Sequence, residues 1–215
     1  MTSLSLRVRQ LGIDSSAVAA TEFAIVVPFM LLLYIGGVEL GDAMSISAKV
    51  SKTAHTVADL VSQNTQVTAS KMQAILGAST ATIAPYRVTG GAGESLITVT
   101  VSEVSTDSSG KATIQWSQSF NGTTVSTGRP AGQRMTLPPS LTGTQNNNVS
   151  FILSEVAYAY TPNLGYTISG TITLRDSHYL FPRCSTNNSS FPYFDVKFPS
   201  SATCSCIQHM QQKIC

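Results

Sequence analysis

The most pronounced pattern in the chain is an apolar run close to the N-terminus. Residues 17–38 read AVAATEFAIVVPFMLLLYIGGV and contain one charged side chain, Glu22. A helix rises 1.5 Å per residue, so about 20 apolar residues are enough to cross the hydrocarbon core of a bilayer. We therefore predict a transmembrane helix over 17–38, preceded by a cytoplasmic leader over 1–16.

The charges that flank this run indicate its orientation. Arg7 and Arg9 precede it, whereas Glu39 and Asp42 follow it. Cytoplasmic flanks carry the excess of Lys and Arg, so the N-terminus is predicted to be cytoplasmic and the rest of the chain to lie outside. A cleavable secretory signal is the alternative. It would end in a small-x-small cleavage site, but here the run continues into a helical pattern.

Beyond the apolar run, hydrophobic residues recur mostly at steps of three and four as far as Val61. This spacing is typical of an amphipathic helix that continues outward from the membrane. A second helix is predicted from Thr68, a possible N-cap, to Leu76, with Gly77 as its stop. Residues 39–80 are thus predicted to form an extracytoplasmic helical segment.

From about residue 84 the hydrophobic period changes from 3.6 to 2. Residues 97–101 and 112–116 alternate around a turn at 107–110, which predicts a β-hairpin. The runs 149–160 and 166–179 predict a second hairpin, and the polar stretch 118–147 is interpreted as a surface excursion. Residues 81–183 are therefore predicted to be an antiparallel β domain packed on the helix, which gives an α+β fold.

The overall composition fits an exported domain and excludes some partners. Charged residues make up 11% of the chain, against about 25% in ordinary soluble domains. The net charge is +2, and no Lys/Arg run occurs that could follow a phosphate backbone. We therefore expect no nucleic-acid partner.

All the cysteines lie in the predicted C-terminal tail, residues 184–215. They are Cys184, Cys204, Cys206 and Cys215. An even number of cysteines in an exported protein predicts two disulfides, whose pairing stays open. A metal site is the alternative, although the spacing of Cys204 and Cys206 is shorter than in usual zinc-ligand pairs, and we expect no bound metal or cofactor.

Residues 16–42 resemble the N-terminal signature of the TadE/TadG family of Tad (Flp-type) pilus assembly proteins. The resemblance rests on the pair Glu22 and Phe23, on Pro28 within the apolar run, and on the exit sequence at 38–41. Later landmarks are similar to the family's in the same order, and they are residues 55–61, 84–86, 116, 155–158 with 160–162, and 174–176 with 181–183.

The resemblance implies that a prepilin peptidase cuts just before the apolar helix and leaves Glu fifth in the mature chain. Counting back from Glu22 places the cut between Ala17 and Val18, where Ala17 occupies the position at which such peptidases prefer Gly. It also implies that Glu22, with Phe23, acts in subunit assembly by pairing with a neighbouring subunit's new amino terminus. The alternative is that Glu22 only snorkels to the cytoplasmic interface.

The function implied by the resemblance is that of a minor pseudopilin or assembly component of a Tad-type pilus or secretion system. Such a protein would be anchored in the bacterial inner membrane with a periplasmic domain, and would support pilus biogenesis and adhesion. Its partners would be other pilus or pseudopilin subunits and inner-membrane platform proteins. The alternative is a signal-anchored envelope adhesin or binding protein that does not enter a pilus.

An enzymatic function is not indicated by the sequence. The histidines, His55, His178 and His209, lie in three different predicted elements and no catalytic motif surrounds any of them. Catalysis needs titratable groups that converge on one site. We therefore predict that the protein is not an enzyme.

Overall fold

The computed structural model describes residues 15–162, 170–183, 195–206 and 213–214. The chain divides into two compact units. The first comprises Met1–Met44 with Thr161–Gly170, and the second comprises Ser45–Tyr160 with Thr171–Cys215. One helix begins in the first unit and continues into the second, and the described β-strands all belong to the second.

This helix, α1, runs without interruption over Ser15–Ser62. Pro28 lies inside it, and a proline removes one backbone hydrogen bond from the helical ladder. The predicted continuous helix, apolar at first and amphipathic farther out, is confirmed. In the second unit its buried side chains recur at steps of three and four, and they are Ile46, Val50, Thr53, Ala54, Val57, Ala58 and Val61.

Two short helices follow α1. Helix α2, Ala69–Gly77, begins at the predicted cap, because the Thr68 side chain accepts a hydrogen bond from the Lys71 backbone N–H at 3.2 Å. It buries Met72, Ile75 and Leu76, the apolar positions of its sequence. A further helix, α3 (Ser79–Ile83), was not predicted.

The main sheet has six strands in the order β4-β3-β2-β6-β7, with β5 also paired to β3, and every pairing is antiparallel. The strands are β2 (Ile97–Thr106), β3 (Ala112–Phe120), β4 (Val125–Thr127), β5 (Arg134–Met135), β6 (Ser150–Tyr160) and β7 (Ile172–Leu180). Both predicted hairpins, β2/β3 and β6/β7, are therefore present. In the turn that joins β2 to β3, Asp107 Oδ1 accepts hydrogen bonds from the backbone N–H groups of Ser109 and Lys111 at 2.8 and 2.9 Å.

The prediction of a surface excursion over residues 118–147 is only partly right. Strand β3 extends to Phe120, and β4 and β5 add to the sheet within this stretch. Leu137 is buried in an apolar cluster with residues from three long strands, namely Val104, Ala112, Ile114, Phe151 and Leu153. The stretch therefore covers part of one face of the sheet, which is why Leu137 is buried and Met135 and Leu141 are partly buried against it.

A second, three-stranded sheet ties the C-terminal segment to the end of α1. Its order is β1-β8-β9, with β1 at Asn64–Gln66, β8 at Cys204–Cys206 and β9 at Lys213–Ile214. Residues 195–200 run alongside β1, because Lys197 N–H donates to Thr65 O, and Val67 N–H to Lys197 O, both at 2.9 Å. The described part of the predicted tail is thus integrated into the second unit.

The main sheet packs on residues 45–62 of α1, called here the outer part of the helix, as predicted. Directly opposed residues in antiparallel strands lie on the same face, so Val99, Val101 and Glu103 share a face with His178, which contacts Ser51 on the helix. The other face carries the Leu137 cluster. The α+β prediction is confirmed.

Candidate functional site

The apolar part of α1 exposes its hydrophobic side chains on all sides. The fractional exposure is 67% for Phe23, 73% for Leu33 and 71% for Tyr34. The other large apolar side chains that are exposed up to residue 44 are Val18, Ile25, Val26, Phe29, Met30, Leu31, Leu32, Val38, Leu40 and Met44. A helix that is apolar all round has no polar side to turn toward water, which is the pattern of a membrane span.

The length of this part of α1 matches a bilayer. From Val18 to Val38 the helix extends about 30 Å, the thickness of the hydrocarbon core. It is the one helix in the described chain that is long and apolar enough to cross a membrane. A signal sequence near an N-terminus passes the same test of length and composition.

The predicted processing and assembly residues lie together at the start of α1. Ala17, Val18, Glu22 and Phe23 fall within two turns, a rise of about 9 Å. Val18 is 51% exposed, and both Glu22 and Phe23 are exposed. Thr21 Oγ1 donates to Val18 O at 2.8 Å, the backbone bond of a helical threonine. The Glu22 carboxylate is therefore exposed on the surface of the helix, where it is accessible to a neighbouring molecule.

A row of polar contacts, called here the polar seam, joins Ser51, His55 and Asp59 on α1 to the chain in and just after strand β7. Ser51 and His55 are four residues apart on one face of α1. Ser51 Oγ lies 3.3 Å from His178 Nε2, and the rings of His55 and His178 meet edge to face with centroids 5.4 Å apart. The expectation that the histidines would not converge is therefore wrong for His55 and His178, whereas His209 lies outside the described residues.

One helical turn farther along this face of α1, the seam contains an ion pair. Asp59 Oδ1 accepts from Arg183 Nη2, and the Arg183 backbone N–H donates to Ser62 O at 2.9 Å. The chain just after β7 is thus tied to the end of α1 by side chain and backbone together.

The seam does not have the geometry of a catalytic triad. Asp176 Oδ2 lies 3.7 Å from His178 Nε2, the same nitrogen that faces Ser51. A Ser-His-Asp triad needs the serine and the aspartate on opposite ring nitrogens. A hydrogen bond from Ser51 is the main cause that lowers the pKa of Asp176, with help from the Ser177 N–H and from His178. The seam is therefore suited to holding α1 and β7 together.

Two carboxyl groups that the sequence analysis did not single out meet beneath the C-terminal segment. Glu103 lies in β2, is 1% exposed, and accepts from Val196 N–H at 3.2 Å. Burial first, and then the hydrogen bond and charge of Asp195, raise the pKa of Glu103 well above its usual range. The alternation of β2 could have signalled this site, because it places Glu103 on the same inward face as Val99 and Val101.

Among the predicted disulfide residues, Cys204 lies in β8, is 1% exposed and is disulfide-bonded. Cys206 is in the same strand, and Cys184 and Cys215 lie outside the described residues. No cysteine in the described part of the chain is free. Nor does that part hold a group of three or more His, Cys, Asp or Glu side chains that could bind a metal. That the four cysteines form two disulfides stays a prediction, and their pairing stays open.

Comparison with known families gives one match. A family model described as TadE-like protein matches residues 17–59. Residues 17–59 are TadE-like. No curated protein and no solved structure gives a significant match to the chain.

The TadE-like region coincides with α1 alone. It begins at Ala17, the residue before the predicted cut, and ends at Asp59, which pairs with Arg183. It thus contains the apolar span, Glu22 with Phe23, and the face of α1 that packs on the sheet. The landmarks at 84–183 that the sequence analysis compared with the family lie beyond this match.

Proposed function

We propose that this protein is a minor pseudopilin or assembly component of a Tad-type pilus or secretion system, held in the inner membrane by the apolar part of α1. The observation that carries the proposal is that the TadE-like match falls on the one helix, among the described residues, that is long and apolar enough to span a membrane. The second unit, with its two antiparallel sheets, is the part that supports pilus biogenesis and adhesion outside the cytoplasm.

The proposed topology places the N-terminus in the cytoplasm and the second unit in the periplasm. Its support is the charge difference between Arg7 and Arg9 before the apolar run and Glu39 and Asp42 after it. The disulfide-bonded Cys204 is consistent with the oxidising compartment that this topology implies. Disulfides among Cys184, Cys204, Cys206 and Cys215 belong to the proposal.

In this proposal Glu22 is the assembly residue of the span. A charged side chain at the centre of a transmembrane helix costs about 2.5–3.5 kcal/mol on insertion scales. Glu22 lies five residues inside the predicted span, so its carboxylate bears part of that cost, which a partner group would offset. The partner proposed here is the amino terminus of a neighbouring pilin-like subunit, with the exposed ring of Phe23 beside it. Processing by a prepilin peptidase between Ala17 and Val18 would supply an equivalent amino terminus on this chain.

Two measurements on the full chain, expressed in cells with a Tad system, test the proposal. Intact-mass analysis of membrane-extracted protein is expected to show a mature chain that begins at Val18. Cross-linking in the membrane is expected to recover pilin-like subunits with the wild type and to lose them with Glu22→Gln, which removes the charge and keeps the shape.

The matched control is Asp42→Asn, which removes a carboxylate that is also exposed on α1 but lies beyond the apolar run. It is expected to leave both measurements unchanged. An intact Met1, together with cross-links that do not depend on Glu22, would contradict the pseudopilin proposal and support a permanently anchored envelope adhesin instead.

A further inference from the structure

The segment 195–200 is held against the main sheet chiefly through one residue, Val196. Its backbone N–H donates to Glu103 Oε1 at 3.2 Å, and its carbonyl accepts from Trp116 Nε1 at 2.7 Å. Glu103 and Trp116 are directly opposed on β2 and β3. Both backbone polar groups of the buried Val196 are therefore satisfied by two side chains on the same face of the sheet.

Apolar and backbone contacts extend this attachment on either side of Val196. The Val196 side chain is 0% exposed, and the ring of Phe198 packs against Trp116 with centroids 5.4 Å apart. Beside the sheet, Lys197 N–H donates to Thr65 O at 2.9 Å and Ser200 N–H to Val67 O at 3.1 Å. The segment is a cover over Trp116 and the inward end of Glu103.

Asp195 brings a second carboxyl group to the same place. Asp195 directly precedes Val196, whose N–H donates to Glu103 Oε1 at 3.2 Å, and hydrogen bonding and charge from Asp195 both act to raise the pKa of Glu103. Two carboxylates in contact cannot both ionise without mutual repulsion, and a hydrogen bond between two carboxyl groups needs a proton to be present on one of them. Since Glu103 is 1% exposed, its ionised form also loses the solvation that water would provide.

The other charged groups near this pair do not neutralise it. Asp195 is the one ionisable side chain, among those described, that acts on Glu103, and the residue opposite Glu103 on β6 is the apolar Ile152. Lys197 is exposed two residues farther along the segment. Asp107 shares with Asp195 the lining of a cavity of about 350 Å³, and its own charge is balanced by the nearby Lys111 and Arg134.

We propose that Glu103 and Asp195 form a proton-dependent clasp that docks residues 195–200 on the main sheet. With one proton shared between the two carboxyl groups, the segment stays bound over Trp116. When that proton is lost, two adjacent carboxylates repel each other beneath the segment and its hold on Val196 weakens. The cavity lined by Asp195, Ser105 and Gln115 gives water access to the pair, so the proton can exchange with solvent.

The clasp is expected to weaken as the pH rises. A carboxyl group whose pKa is raised in the folded protein stabilises the fold at low pH, and this contribution is lost as the pH rises through the raised pKa. The segment is therefore held more firmly in an acidic compartment and less firmly in an alkaline one. This regulation of the C-terminal cover is independent of the proposed pilus role, because it depends only on residues of the second unit.

Trp116 is the chain's single tryptophan and reports directly on the clasp. We expect the fluorescence of the full-length protein in detergent micelles to shift to longer wavelength as the pH rises from 5 to 9, in one transition with a midpoint above the usual glutamate range. Circular dichroism recorded in parallel should show that the helices and sheets stay intact. Glu103→Gln, which keeps the acceptor for Val196 N–H but cannot ionise, should abolish the transition and retain the low-pH spectrum.

Two further variants make the outcome decisive. Asp195→Asn should lower the midpoint, because it removes the neighbouring carboxylate, and Glu94→Gln should leave the titration unchanged, because Glu94 is exposed in a loop. The proposal is overturned if the wild-type emission does not change between pH 5 and 9, or if Glu103→Gln titrates like the wild type. Should Glu103→Gln fail to fold, an unshifted midpoint in Asp195→Asn overturns it as well.

Discussion

Replacing Ile46 by alanine tests whether residues 45–62 of α1 form part of the core of the second unit. Ile46 is 1% exposed, whereas Met44, two residues earlier on the same helix, is 65% exposed. Ile→Ala removes three carbon atoms, which at about 0.8 kcal/mol per buried methylene corresponds to roughly 2.4 kcal/mol of lost transfer free energy. The cavity left behind raises the expected loss to about 2–5 kcal/mol.

Urea unfolding of the full-length protein in detergent micelles, followed through Trp116 fluorescence, measures this loss in the unit that contains the sheet. Ile46→Ala should lower the transition midpoint without changing the slope, since the surface exposed on unfolding stays similar. Met44→Ala is the matched control and should change the free energy of unfolding by less than about 0.5 kcal/mol. Equal effects of the two substitutions would refute the packing of α1 against the sheet.

Three further predictions concern single side chains of the sheet. Ser154 Oγ is buried and has no hydrogen-bond partner among the described atoms. Ser154→Ala should therefore raise the free energy of unfolding, measured by urea titration, by about 1 kcal/mol. A loss of stability would show that the hydroxyl is satisfied. Trp116→Phe leaves the buried carbonyl of Val196 without its donor and should lower the free energy of unfolding by about 1–3 kcal/mol, measured by thermal unfolding followed by circular dichroism. An unchanged melting temperature would contradict the role of Trp116 as that donor. Because burial raises the pKa of Glu103, the urea midpoint of the wild type should fall as the pH rises above the usual glutamate range. The midpoint of Glu103→Gln should not follow this trend. A parallel fall in both proteins would refute the role of Glu103.

The long elements of this fold are predictable because each carries one hydrophobic period over many residues. The apolar and amphipathic parts of α1 and the alternating strands β2, β3, β6 and β7 all follow from such periods. Strands β1, β4 and β5 span only three, three and two residues. At that length no alternation can be recognised, and their pairing depends on partners distant in sequence.

The side-chain clusters depend on the same long-range geometry. His55 and His178 meet only because β7 lies beside α1, and the sequence between them does not indicate that neighbourhood. Glu103 and Asp195 come together because the C-terminal segment crosses β2, a crossing without any local signal. In contrast, Glu22 is noticeable in the sequence alone, because a lone charge in an apolar run stands out without knowledge of the fold.

The proposed function requires one membrane span that separates a cytoplasmic N-terminus from an external second unit. Protease added to sealed spheroplasts, with antibodies against each end of the chain, measures this directly. We expect the C-terminal epitope to disappear while a short N-terminal fragment stays protected within the membrane. Survival of the C-terminal epitope until the spheroplasts are lysed would contradict the topology and the proposed function with it.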